Sequence, residues 1–163
     1  MWWISDPLVS VPLYLLIAFL LFKNYPLRTA LFLILAAGLC VALSDLSAKH
    51  LFKEVFLRYR PSHHLELKHQ LHFIGDYRGG TYGFVSSHAA NMMTIGTFVW
   101  LTLKSKIGKW SLFFIFWAFI VCYSRVYLGV HYPSDVFVGA LLGTVISLII
   151  YYSIKRMKWL ELN

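Results

Sequence analysis

Residues 27–43 read LRTALFLILAAGLCVAL and residues 136–154 read VFVGALLGTVISLIIYYSI. Arg28 is the one charge in the first run, and the second run has none. About 20 such residues in a helix cross the hydrocarbon core of a bilayer. Three more apolar runs flank these two: residues 8–22, 89–103 (diluted by Asn91, Thr94 and Thr97) and 110–123. The run that opens at residue 27 keeps helical periodicity to about residue 59. The reading predicts an all-α integral membrane bundle of about five transmembrane helices, with residues 1–163 forming a single membrane-embedded domain. Composition agrees. Of the 163 residues, 59% are apolar or aromatic types and only 13% are Asp, Glu, Lys or Arg. That is about half the charge of a soluble domain, too little to cover so much apolar surface in water. It also excludes disorder.

The charges are unequal, with 15 Lys and Arg against 7 Asp and Glu, a net +8. Nucleic acid is not the expected partner, because the cations sit between apolar runs rather than along one polar stripe. An anionic lipid or a phosphorylated substrate fits better. Cys40 and Cys122 lie inside apolar runs with no CxxC spacing, which argues against a disulfide framework or a thiolate zinc site. Asp45 and Lys49 are spaced for an internal ion pair on one helical face.

Three polar clusters interrupt this apolar pattern. Lys53 is followed after six residues by Arg60-Pro61. Seven residues make two helical turns, so both cations are expected on one face of a helix stopped by Pro61, placed to clamp a phosphate. Ser86-Ser87-His88 opens the third run. Ser86 is a good N-cap, and a helix N-terminus with free N–H groups attracts anions. Ser124-Arg125 is followed after five residues by His131 and after three more by Asp135. An Asp four residues beyond a His can hold the ring in one tautomer and make it a better nucleophile or base. No carboxylate cluster of the kind that holds two metals accompanies them, and phosphoryl transfer can use fixed cations instead.

Together the three clusters resemble the three signature motifs of the type 2 phosphatidic-acid phosphatase and vanadium haloperoxidase superfamily, in its membrane lipid phosphatase branch. Those motifs read Lys-x6-Arg-Pro, Pro-Ser-Gly-His and Ser-Arg-x5-His-x3-Asp. The first and third match in full; in the second, Val85 replaces Pro and Ser87 replaces Gly. The resemblance implies that His131 attacks phosphorus to form a phosphohistidine and that Asp135 orients it. It implies that His88 protonates the leaving oxygen and then activates water. Lys53, Arg60 and Arg125 would hold the phosphate oxygens, helped by Ser86 and the backbone around Ser87. It implies no cofactor and no metal, a phosphorylated lipid as substrate, membrane lipids as surroundings and no obligate protein partner. A phosphotransferase that passes the phosphoryl group to an alcohol is the rival within the family, and a non-enzymatic membrane protein the rival outside it.

If the helices alternate, all three motifs fall at one membrane face. The other face carries Lys23, Arg28, Lys104, Lys106, Lys109, Lys155, Arg156 and Lys158 in short loops and the tail. The positive-inside rule then puts those turns in the cytoplasm and the site at the periplasmic face of a bacterial inner membrane. That placement ranks undecaprenyl diphosphate first among substrates, ahead of phosphatidylglycerophosphate, phosphatidate and lipid A phosphates. The polar connection 61–85 is too long for a simple turn. It holds Gly75, Gly79, Gly80 and Gly83, which can let backbone approach a phosphate, and His63, His64, His69 and His72, whose spacing matches no zinc pattern.

Overall fold

The computed structural model describes residues 3–5, 7–70, 73 and 77–157. Its regular secondary structure is helical. The helices are α1 (Val11–Asn24), α2 (Leu27–Ser47), α3 (Ser87–Ile107), α4 (Leu112–Tyr127) and α5 (Pro133–Lys155). No β-strand occurs among the described residues, which hold only an isolated bridge between Tyr59 and Tyr82. Local chemistry sets the helix ends. Proline stands at the start of α1 and of α5, where its missing N–H costs nothing and its φ is already helical. Gly108, at φ +59, ends α3, and one 3-10 turn, Gly108–Ser111, reverses the chain into α4.

Among the described residues, three stretches are long and apolar enough to cross a membrane: Leu27–Phe56, Ser87–Tyr127 and Pro133–Lys155. The middle one is two helices folded back at Gly108, and the stretch containing α1, Leu8–Asn24, is shorter. Many large apolar side chains point outward, among them Phe19, Leu35, Phe116, Phe137 and Ile149. In water this would be a large exposed apolar surface; against lipid tails it is the expected exterior.

Helix α3 is the centre, packing on α5, α4 and α2. A Cβ on Gly139 of α5 would come within 2.6 Å of the Ser86 carbonyl oxygen, and one on Gly143 would collide with the Ala90 carbonyl. Small residues let two helix backbones touch, which replaces hydrophobic driving force inside a bilayer. Ser147 Oγ donates to the Thr94 carbonyl at 2.6 Å, and Tyr25 Oη to that of Thr102 at 2.6 Å. The core fills in around Leu33, Cys40, Phe98, Val99, Phe114 and Ala118.

Two expectations are corrected here. The second helix does not run to residue 59. After Ser47 it widens into a π-helical segment, Ala48–Lys53, and ends with one turn, Glu54–Phe56. Leu57, at φ +44, leaves the helix. Lys53 and Arg60 therefore do not share a helical face; a chain reversal brings them together. The Asp45–Lys49 ion pair is not formed either. The wider π register alters the spacing beyond Ser47, and Asp45 instead accepts from Asn91 Nδ2 of α3 at 3.4 Å.

Candidate active site

The C-terminal ends of α2 and α4 and the N-terminal ends of α3 and α5 lie together, so the three motifs converge. Residues 58–60 run extended beside residues 81–83, with Arg60 N–H donating to the Thr81 carbonyl (3.1 Å) and Gly83 N–H to that of Arg58 (2.9 Å). This reversal carries Arg60 back over the helix ends. Phe84 packs edge-on against Phe52 and Phe56 and fixes where the loop returns to α3.

The Arg60, Arg125 and Lys53 cations are all near His88, whose ring feels the charges of Arg125, His131, Arg60 and Lys53. Arg125 is 1% exposed. Its Nη2 donates to Tyr77 Oη at 3.1 Å, while its Nε has no partner on the described chain. Arg60 Nε donates to the Tyr82 carbonyl at 3.2 Å. Burial first, and then the neighbouring Arg125, hold the Arg60 guanidinium below its ordinary value. Lys53 Nζ donates to Ser87 Oγ at 2.7 Å. Ser86 is fully buried, with its Oγ accepting the Ala89 amide as the cap of α3. Gathering cations in a buried site, one with an orphaned donor, is costly unless an anion completes the set.

His131, two residues before α5, and Asp135, in its first turn, are both almost fully buried. Asp135 Oδ2 accepts the Tyr132 amide at 3.0 Å and lies 3.6 Å from His131 Nδ1. That approach is longer than a hydrogen bond, as catalytic contacts often are before substrate arrives. It turns Nε2 away from the carboxylate. Burial pushes His131 down to about 4; Arg60 and Arg125 push the same way, and Asp135 opposes them. The ring is therefore neutral at pH 7.

Arg58 was not picked out by the sequence reading. Its Nη1 donates to Asp135 Oδ1 and to Ser134 Oγ, each at 2.9 Å, and its guanidinium lies 4.2 Å from the Tyr132 ring centroid. It sits inside the six-residue spacer of the first motif, where no spacing rule points to it. Tyr77, the partner of Arg125, was missed for the same reason. Of the loop glycines, a Cβ on Gly83 would fall 2.8 Å from Arg60 Cγ and 3.4 Å from both Asp135 Oδ2 and His131 Nδ1. Gly79 is likewise pressed on Arg60, and Gly75 lies outside the described residues. His63 and His64 line a surface pocket with Tyr59, Leu65 and Glu66. His72 and the His69 side chain lie outside the described residues.

A cavity of about 220 Å³ opens beside His88, lined by Ser87, His88, Asn91, Asp45, Tyr14 and neighbouring apolar side chains. It shares Tyr14, Val41 and Ile95 with an apolar groove of about 410 Å³ between α1, α2 and α3.

A family model described as the PAP2 superfamily matches residues 26–159. The chain belongs to the PAP2 superfamily. As a PAP2 protein with three long apolar stretches it is a multi-pass membrane protein. It is 35% identical over 148 residues to a lipid A 4'-phosphatase of Porphyromonas gingivalis, covering 88% of this chain and 62% of that protein. It is 32% identical over 141 residues to a lipid A 4'-phosphatase of Bacteroides thetaiotaomicron, covering 85% and 61%. A shorter match, 47% over 66 residues, covers 40% of the chain and 31% of an undecaprenyl-diphosphatase of Sulfolobus acidocaldarius. The chain thus spans about three fifths of the length of the two lipid A 4'-phosphatases. No solved structure matches it.

Proposed function

We propose that this PAP2 protein is a lipid phosphate phosphatase working through a phosphohistidine. The observation that carries this is the buried Arg125 with its unpartnered Nε, set among Lys53, Arg60, His88 and His131. The three cations take the phosphate oxygens, with Ser87 placing Lys53 and the capped start of α3 offering backbone N–H groups behind Ser86. His131 Nε2 attacks phosphorus while Asp135 steadies Nδ1. His88 gives its proton to the leaving oxygen, which departs as the free alcohol or, from a diphosphate, as the phosphate end of the lipid. His88 then takes a proton from water, and the hydroxide attacks the phosphohistidine, releasing phosphate and restoring His131. The cations neutralise the transferring group at every stage, so no metal is needed for charge.

The substrate's hydrocarbon lies in the groove between α1, α2 and α3, which joins the His88 cavity. Two substrate families fit this arrangement: a carrier-lipid diphosphate such as undecaprenyl diphosphate, and a lipid phosphomonoester such as a lipid A phosphate, the class named for the relatives of broadest coverage. The site faces the periplasm from the inner membrane, on the strength of the basic short loops opposite.

Phosphate release by the purified protein from undecaprenyl diphosphate, lipid A 4'-phosphate, phosphatidate and phosphatidylglycerophosphate tests the activity. Release from at least one, unaffected by EDTA and blocked by vanadate, is expected. Release from none overturns the proposal. Sidedness is tested with Cys40 and Cys122 replaced by Ala and single cysteines at Lys68 or Lys106. An impermeant maleimide added to intact cells should label position 68 and spare 106; the reverse pattern overturns the orientation.

A further inference from the structure

We infer that Tyr77 is a further ligand of the transferring phosphoryl group, donating its phenolic O–H to a phosphate oxygen held between Arg60 and Arg125; this rests on the phosphatase proposal above. Tyr77 belongs to none of the three motifs. Its Oη accepts from Arg125 Nη2 at 3.1 Å, and its ring centroid lies 5.6 Å from the same guanidinium. It is also close enough to Arg60 to act on that charge. One hydroxyl thus stands beside two of the three cations assigned to the phosphate.

The chain holds it there. Tyr77 opens a segment stitched to residues 60–62. Ser62 Oγ donates to the Arg78 carbonyl at 2.6 Å, Arg60 N–H to that of Thr81 at 3.1 Å, and Arg60 Nε to that of Tyr82 at 3.2 Å. Ser62 is fully buried, so the anchor next to Tyr77 is shielded from water. Gly79, at φ +66, presses on the Arg60 guanidinium, and a Cβ there would collide with it.

A phenol has one proton to donate and lone pairs to accept with. The Arg125 bond uses a lone pair, and no described residue accepts the proton. Neither guanidinium can accept it, because neither has a free lone pair. Tyr77 is 36% exposed and Arg125 only 1%, so the phenol stands at the mouth and the cation behind it. A phosphate oxygen arriving between Arg60 and Arg125 supplies the acceptor. Its charge makes that bond stronger than one to water. A neutral donor also adds a contact without adding to the repulsion among Lys53, Arg60 and Arg125, as a fourth cation would.

Tyr77→Phe tests this, because it keeps the ring on Arg125 and removes only the hydroxyl. Two readings are taken: the Kd of inorganic vanadate, titrated calorimetrically into the protein in detergent, and kcat/KM on the best of the four lipid phosphates named above. Both should worsen about tenfold, the usual loss for a hydrogen bond to a charged group. Arg125→Lys keeps a cation but loses the fork that bonds Tyr77. On that background Tyr77→Phe should still cost several-fold in kcat/KM. No further cost there means that the hydroxyl only orients Arg125, which overturns the inference. A Tyr77→Phe protein whose vanadate Kd stays within about twofold of wild type overturns it too. Either result leaves the phosphatase proposal standing. A wild type that neither binds vanadate nor releases phosphate from any of the four lipids overturns both.

Discussion

The two sides of His88 are built differently. On one side, loop and helix ends are tied together by short polar contacts: Arg58 to Asp135 and Ser134, Lys53 to Ser87, Arg125 to Tyr77, and residues 58–60 to 81–83. Arg125, His131 and Asp135 are buried there, and Gly83 leaves no room to shift. On the other side, α1 and α2 enclose an open apolar groove, and a Cβ on Gly38 would meet nothing within 4 Å. The contrast separates two tasks. A transferring phosphoryl group needs fixed charges at fixed distances; a hydrocarbon chain needs only an apolar surface of roughly the right width. In the proposed mechanism the rigid side carries the chemistry and the looser side admits the lipid.

The largest test removes the nucleophile. His131→Ala should cut phosphate release by ~10⁴-fold or more while the protein still elutes from detergent gel filtration like wild type. Turnover near normal would end the assignment of chemistry to the rigid side.

Arg58→Ala comes next. Arg58 reaches the phosphate only through Asp135, so its loss should lower kcat by up to ~10²-fold, the cost of a misplaced catalytic group, with a smaller change in KM. A pure KM effect would make Arg58 a phosphate ligand instead.

The groove side is probed by Gly38→Phe. Displacing about one or two methylenes from the groove, at ~0.8 kcal/mol each, should raise KM for a long-chain lipid phosphate roughly fourfold to fifteenfold. A short-chain analogue should change much less. Equal effects on both would mean that the tail lies elsewhere.

The smallest effect is on pH. His131 must be neutral to attack, and its value is lowered from the usual 6.5 to about 4. Its contribution to kcat/KM should therefore persist as pH falls through 6.5 and be lost only as pH falls through about 4. An acid limb near 6.5 that follows His131 would mean that water reaches the ring in the working enzyme.

Sequence and structure divide along the same line. The motif residues were legible as groups that belong together because the tasks proposed for them accept few residue types: a His to attack, an Asp to hold it, Arg and Lys to bind oxygens. The long helices were legible because lipid tolerates no charge over a whole span. Arg58 was not, since its meaning depends on a carboxylate 77 residues away. The Lys53–Arg60 pairing was legible as a pair but not in its geometry, because Leu57 leaves the helix where periodicity would continue it. Asp45 read as half of an ion pair with Lys49, until a π-helical segment changed the spacing and α3 supplied Asn91.

The sequence by itself determined the apolar helices, the basic short loops and the identity of the chemical groups. These are set by local composition and by the reactivity of single side chains. Only the tertiary structure decided that Arg58 holds Asp135, that Gly83 lets Arg60 pack close to His131, and that Asp45 and His88 line one cavity. Those are contacts between segments distant in the chain, and close packing of helix ends, rather than any local preference, brings them within hydrogen-bonding reach.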